Sequence, residues 1–516
     1  SVPVINSISY DGSESGLKYV YMFHENESPV MADIAEDPII PVPSISTNST
    51  DFRTQGFAIT EPDSFSCGSS TSLTLTAIGD DDSGVACQVL TGFTGTKGIK
   101  SWYAVNTDST PAANLVATGL SVASQEISDQ SEPMSNNVNL IFNNGVASVP
   151  LSYANAGQFL NVDFKHDDAP YDNSVPELLG ITLNASTASF VVRPERISLS
   201  IINANSVCSS STASCSKFIA AGDPFTIKAE AECAGGVVAD DYQGEVDFSH
   251  TLIAPIPGSS GTLNISTGTI AAVDGGSIDI NNQMISEVGV FDLTAQDDDY
   301  FGEAIPVFTL GSVGRFYPAQ FIMTSSSAAN SCGSFSYMGQ TTPDPEFDVR
   351  YTLEAHNAGG SLTQNYTGAF AKATPSSHIN IVAENNNDGG SYQSRLENLA
   401  DDAWLNGQYV YSDSGYFARG IIVDGPYPLL QLGIQFTDND GDLSELIGLD
   451  MKANSSADCS VLADCDAWFI DNLDVRFGQL KLSNVFGPET FTLDMAVQTE
   501  YSDSYTHMTL PTNRQE

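Results

Sequence analysis

Positive charge is what this sequence has least of. Its 18 Lys and Arg stand against 64 Asp and Glu, a formal net charge of −46 over 516 residues. Recognition of nucleic acid or of an anionic membrane surface rests on Lys and Arg patches, so neither is expected as a partner. No apolar run approaches the roughly twenty residues a membrane-spanning helix needs, so no span is expected. No initiating Met and no short apolar leader opens the sequence, so the chain is read as beginning at Ser1 as a processed or trimmed product. Catalytic signatures are missing too. His24-Glu25 starts like a zinc-protease helix, but Ser28 stands where the second histidine would be. Neither a G-x-S-x-G elbow nor a phosphate loop occurs, and the 6 histidines are scattered. An enzyme is not expected, because a catalytic site needs convergent groups.

Helical periodicity is absent except for one short turn expected around Arg395–Asp402. Alternation with a period of two takes its place: Thr71–Ala77, Phe225–Ala229 and Asp348–Leu353 each place apolar residues at every second position. Turn-rich segments bound these runs at the spacing of antiparallel sandwiches. The fold expected is therefore all-β, built from tandem antiparallel immunoglobulin-like β-sandwich modules. Three segments share one theme, an alternating strand followed by an aromatic-x-Gly step. Leu73–Ala77 leads to Phe93-Thr94-Gly95, Phe225–Ala229 to Tyr242-Gln243-Gly244, and Val349–Ala355 to Tyr366-Thr367-Gly368. Arg193-Pro194-Glu195-Arg196 reads as a junction, stiffened by its proline, and a second boundary is placed near Gly311–Gly314. The division expected is 1–55 as a strand and loop segment or remnant of a preceding domain, 56–194 and 195–312 as sandwich modules, and 313–516 as a C-terminal β module.

The 8 cysteines are even in number and lack C-x-x-C spacing, which points to disulfides in an oxidising compartment rather than to zinc. Short separations pair Cys67 with Cys87, Cys208 with Cys215 and Cys459 with Cys465. Cys233 and Cys332 are left over and are candidates to bridge a domain boundary, since sequence alone does not determine connectivity.

Asp438-Asn439-Asp440-Gly441-Asp442 places oxygen ligands at alternate positions around a turn, like the first half of a calcium loop. Asp438, Asp440, Asp442 and Glu445 are therefore candidate calcium ligands, calcium being the one cofactor expected. Leu443 and Leu449 depart from the loop pattern, and the competing reading is a turn whose acids cap their own backbone. Asp80–Asp82 and Asp297–Asp299 are weaker clusters of the same kind. Aromatic residues are mostly expected in cores. Trp102 and Trp404 flank polar loops and are candidate contacts for a ligand such as a sugar.

The segment Asp474–Gly487 carries Arg476 and Lys481 in two alternating halves, each ending in Gly. It resembles the C-terminal signature of the MshQ-like proteins, encoded with the bacterial mannose-sensitive haemagglutinin (MSHA) type IV pilus. Tyr153–Phe159, Phe190–Pro194, Glu287–Ala295, Val313–Phe321 and Asn365–Lys372 resemble further segments of that family, in its order. The resemblance implies a secreted, surface-exposed structural and adhesive component of an MSHA-type pilus, including a place at its tip. Its partners would be pilus subunits, other copies of itself, or surface glycans, and its location extracellular. Two other readings stand beside it: a secreted carbohydrate-binding or carbohydrate-cleaving protein, and a filament subunit joined by strand donation.

Overall fold

A computed structural model describes Gly56–Thr509 apart from residues 61–63, 80–87, 106–118, 128–129, 168–181, 342–345, 376, 386–389, 398, 441–443, 454–458, 460–464 and 505–506. The protein is all-β: among the described residues, helix is confined to single 3-10 turns. Residues 56–193, 196–317 and 320–476 each form a pair of sheets, and a three-stranded sheet of Gly478–Leu482, Val497–Ser504 and His507–Thr509 follows.

The three modules repeat one topology. The opening strand pairs antiparallel with the next long strand: Gly56–Thr60 with Ser70–Gly79, Arg196–Ile201 with Phe225–Glu232, and Gln320–Asn330 with Phe347–His356. The chain then crosses to the second sheet, where a short strand runs parallel to the module's closing strand. Ser64–Ser66 lies beside Phe190–Arg193, Lys217–Ala220 beside the end of Glu303–Tyr317, and Ser336–Tyr337 beside Trp468–Arg476. A strand that switches sheets in this way, around two antiparallel layers, is the immunoglobulin-like sandwich.

The three alternating segments noted in the sequence all fall on the second long strand. Leu73, Leu75 and Ala77, then Ile227, Ala229 and Ala231, then Val349, Leu353 and Ala355 face the cores and are buried. Their polar neighbours face outward, because successive side chains of a strand point to opposite faces. Each fully buried large apolar side chain contributes about 1.5–3 kcal/mol.

A backbone knot closes each module where this strand ends. Ala77, Ala231 and Ala355 donate their amides to the carbonyls of Gly145, Gly276 and Gly407, at 2.8, 2.8 and 2.9 Å. Their carbonyls accept from Leu90, Ala239 and Thr363, at 2.9, 2.8 and 2.8 Å. Three residues on, Phe93, Tyr242 and Tyr366 donate back to those same residues at 2.9, 2.9 and 3.2 Å, and all three rings are fully buried. The glycines have φ of 82°, 74° and 80°, and a Cβ on them would lie 2.7, 2.3 and 2.3 Å from the carbonyl oxygens of Leu90, Ala239 and Thr363. Only a residue without a side chain permits that approach.

Two sequence expectations are corrected. The turn expected over Arg395–Asp402 is one 3-10 turn, Gln393–Arg395, followed by the strand Leu396–Glu397. Tertiary contacts extend the chain there. Arg395 lies 4.0 Å from the Phe417 ring, bonds the Ala418 carbonyl at 3.0 and 2.8 Å, and pairs with Asp424 at 2.6 Å. The second boundary is displaced as well. Glu303–Tyr317 runs unbroken through Gly311 and Gly314, so the module ends only at Pro318.

Gly407→Ala is expected to destabilise the protein by about 3 kcal/mol or more, since it combines a left-handed φ with a backbone collision. Gly95→Ala, at φ 82° with nothing within 4 Å of the added Cβ, is expected to cost only about 1–2 kcal/mol. Urea unfolding of the two variants beside the wild type measures the difference; equal losses would remove the knot's role.

Candidate functional site

The Asp-rich turn closes on the second module. Arg315, near the end of Glu303–Tyr317, donates from Nη1 and Nη2 to Asp440 Oδ2 and Oδ1 at 3.0 and 2.5 Å, and from Nε to the Cys215 carbonyl at 2.9 Å. Both partners are buried, 4% and 8% exposed. The Lys217 ammonium bonds the Asp440 carbonyl. Asp438 Oδ1 accepts the Asp440 amide at 3.0 Å, as a turn-capping acid does. Of the four candidate calcium ligands, Asp440 thus has both oxygens on a guanidinium and Asp438 has one on backbone. Glu445 is exposed at the start of the strand Glu445–Ile447, and Asp442 lies outside the described residues. Among the described residues no group of three or more His, Cys, Asp or Glu could hold a metal ion.

The junction between the first and second modules is covalent. Cys67 is bonded to Cys233, 166 residues away, and both are fully buried. This corrects the expected Cys67–Cys87 pair. Cys87 lies outside the described residues, and Cys332, the other candidate for a bridge across a boundary, is exposed and free. Cys67 reaches Cys233 because the strand Ser64–Ser66 delivers it to the module edge, where its amide bonds the Arg193 carbonyl at 2.8 Å and its carbonyl accepts from Ala234 at 2.8 Å. Asn155 adds a side-chain bond to Asp241 at 2.9 Å. Cys208–Cys215 and Cys459–Cys465 are local bridges.

The second junction is polar and buried. Glu287, 4% exposed, accepts the Gln364 amide at 2.9 Å and the Asn365 and Val288 amides at 3.2 Å each. Asn365, 1% exposed, accepts from the Ser259 amide at 2.7 Å and donates to the carbonyls of Ser259 and Val288 at 2.7 and 2.8 Å. Burial pushes the Glu287 carboxyl upward, against the three amides that favour its ionised form. Every polar atom named here has its partner in the other module or at the seam, which makes the junction specific in register.

A cleft of about 580 Å³ in the second module is lined by Glu245, Asp247, Asp298 and Asp299, with Phe301 beside them. Its buried acid, Asp297, accepts the Tyr242 hydroxyl at 2.6 Å and the Asp299 amide at 3.1 Å, so it organises the turn. Asp80–Asp82 and His24 lie outside the described residues. Trp404 is corrected from a ligand contact to core: it is 5% exposed and its indole donates to the Ala373 carbonyl at 2.8 Å. Trp102 is half-buried on the strand Gly95–Val105.

Sequence reading missed Glu346, which is fully buried. Its Oε2 accepts the Phe417 and Gly339 amides at 2.8 and 3.1 Å, while Oε1 has no partner among the described residues. Burial pushes its carboxyl up to about 8. No local signal marks it, because the shorter of its two bonds comes from Phe417, 71 residues away.

Two outcomes follow from these geometries. Asp440→Asn leaves the Arg315 cation buried without its counter-charge and is expected to cost about 3–5 kcal/mol. The loss should appear in melting curves both with calcium and with chelator; a calcium-dependent rise in the wild type that vanishes in the variant would instead restore the chelating loop. For Glu346 the folded-state pKa lies above the ordinary 4.5, so the stability tied to its proton is complete below that value, declines above it, and is gone once pH passes about 8. Glu346→Gln should flatten that decline between pH 4.5 and about 8 in a series of melts across pH; an unchanged slope would assign the decline to other groups.

Models of the three DUF6701 domains match in order: the first Ig-like domain over residues 44–175, the second over 193–283 and the third over 287–466. The third match opens at Glu287, the residue that locks the second junction. Among solved structures, the chain is similar to an ICAM-5 ectodomain fragment at 11% identity, covering 84% of this chain and 80% of that one, with TM-score 0.27. It is similar to a marsupial T cell receptor at 9% identity, covering 75% and 96%, with TM-score 0.22. It is similar also to Escherichia coli alpha-2-macroglobulin at 10% identity, covering 83% and 34%, with TM-score 0.20. These scores are low, and the immunoglobulin-like assignment rests on the strand pairing above. No curated protein matches the chain. With its three domains in the family's own order over most of its length, the chain belongs to the DUF6701 family, the family associated with MshQ-type pilus proteins.

Proposed function

We propose that this protein is a secreted structural and adhesive component of an MSHA-type type IV pilus, placed at or near the tip and acting by contact and position. The observation that carries the reading is the run of three DUF6701 domains. Two buried junctions support it. A module chain that transmits force or holds a binding surface at a set place needs seams that do not hinge. Here a buried disulfide holds one seam, and a buried ion pair with a fully partnered Glu and Asn holds the other. Disulfides belong to oxidising compartments, in keeping with an extracellular location. Partners are other pilus subunits, with surface glycans as the class of target. The strongly acidic composition disfavours adventitious contact with nucleic acid.

A deletion strain, complemented with the wild-type chain, tests the reading. Loss of the protein is expected to impair pilus-dependent attachment while secreted hydrolase activity stays unchanged. Normal attachment in the deletion strain, or release of reducing sugar from polysaccharide by the purified protein, would overturn it in favour of a carbohydrate-active protein.

A further inference from the structure

Residues from both sheets of the third module line a cleft of about 200 Å³. Tyr351, Tyr409 and Tyr411 line it from the paired strands Phe347–His356 and Gln408–Phe417. Tyr351 stands directly opposite Tyr411, and their rings stack with centroids 4.7 Å apart. Asn380 comes from the strand Ile379–Asn385 of the other sheet, Gln393 from the 3-10 turn, and the exposed Asp401 completes the polar lining. Two of the three phenols are engaged: Tyr351 bonds Tyr409, whose oxygen accepts the Asp402 amide at 3.0 Å. The third is not. Tyr411 is 4% exposed, and its hydroxyl has no partner among the described residues. Among those residues none bonds the side-chain amides of Asn380 and Gln393 either.

A buried polar group is almost always bonded. An unbonded hydroxyl in a cleft that two unbonded amides also line therefore marks a place for a ligand's own polar groups. The lining selects a neutral, polyhydroxylated ring. Tyrosine rings offer apolar surface to the C–H side of a sugar, while a phenol and two amides offer donors and acceptors to its hydroxyls. Burial, with the Asp401 charge adding to it, pushes all three phenols upward, so they stay neutral donors. Asp401 opposes an anion. The volume lies below the roughly 300–1,000 Å³ of pockets for drug-sized ligands, so it suits one ring rather than a chain.

We propose that this cleft holds one neutral sugar residue at the end of a glycan, through Tyr411, Asn380 and Gln393. The proposal rests on the reading above for its class of target and adds the place where that target is held. Saturation-transfer NMR of the full chain with the methyl glycosides of glucose, galactose, mannose and N-acetylglucosamine should show binding of at least one. Tyr411→Phe keeps the ring and removes only the unpartnered hydroxyl, so it should weaken that sugar about 3- to 10-fold without lowering the melting temperature. Gln393→Ala and Asn380→Ala should weaken it by a similar factor. Tetramethylammonium, the probe for a cation held between tyrosine and Asp401, should not compete. Competition by that ion would make the cleft a cation site and overturn the proposal, as would an affinity indifferent to all three substitutions. Failure of every sugar to bind would also overturn it, while the pilus reading, carried by the family domains, would stand. Sugar binding by a chain whose deletion leaves attachment normal would do the reverse.

Discussion

The backbone knot at the end of each second strand is the arrangement the modules depend on. One alanine gives its amide to a left-handed glycine and takes a bond at its carbonyl from the loop that carries the buried aromatic ring. The same set of contacts appears at Ala77, Ala231 and Ala355. It joins three separate stretches of chain within one layer, satisfies backbone groups that would otherwise be orphaned in the core, and aims Phe93, Tyr242 or Tyr366 between the sheets. Glycine suits its position because the carbonyl oxygen of the loop residue, Leu90, Ala239 or Thr363, sits where a Cβ would be.

From that closure the rest of the architecture follows in order. Closed modules present edges, and at two of those edges the next module is joined by buried groups. The first seam is fixed by a covalent bond between residues far apart in sequence, the second by hydrogen-bonded polar groups withdrawn from water. In a protein with few cations, the placement of Arg315 and Lys217 around Asp440 matters more than their number. They bind Asp440 where the acidic turn enters a low-dielectric seam.

Legibility in the sequence tracked the distance over which the cause acts. Leu73–Ala77, Phe225–Ala229 and Val349–Ala355 could be read as strands because alternation is local, and the aromatic-x-Gly steps because turn chemistry is local. The pairing of Cys67 could not be read, because proximity in sequence favours Cys87 while the switching strand carries Cys67 to Cys233. The alternating acids around Asp440 could be read because that pattern is local; its ion pair could not, because Arg315 lies 125 residues earlier. Trp404 looked exposed because its neighbours Asp401, Asp402 and Asn406 are polar, yet its ring packs against Phe321, Tyr366 and Tyr409.

The sequence by itself determined the all-β class, the repetition of one module type and the acidic character of the surface, since periodicity, turn residues and charge count need no knowledge of the fold. Tertiary structure alone decided that Cys67 meets Cys233, that Asp440 is paired with Arg315 and that Trp404 is buried. Those outcomes depend on where each sheet ends in space, and a strand's edge is set by its neighbours across the sheet rather than by the residues along it.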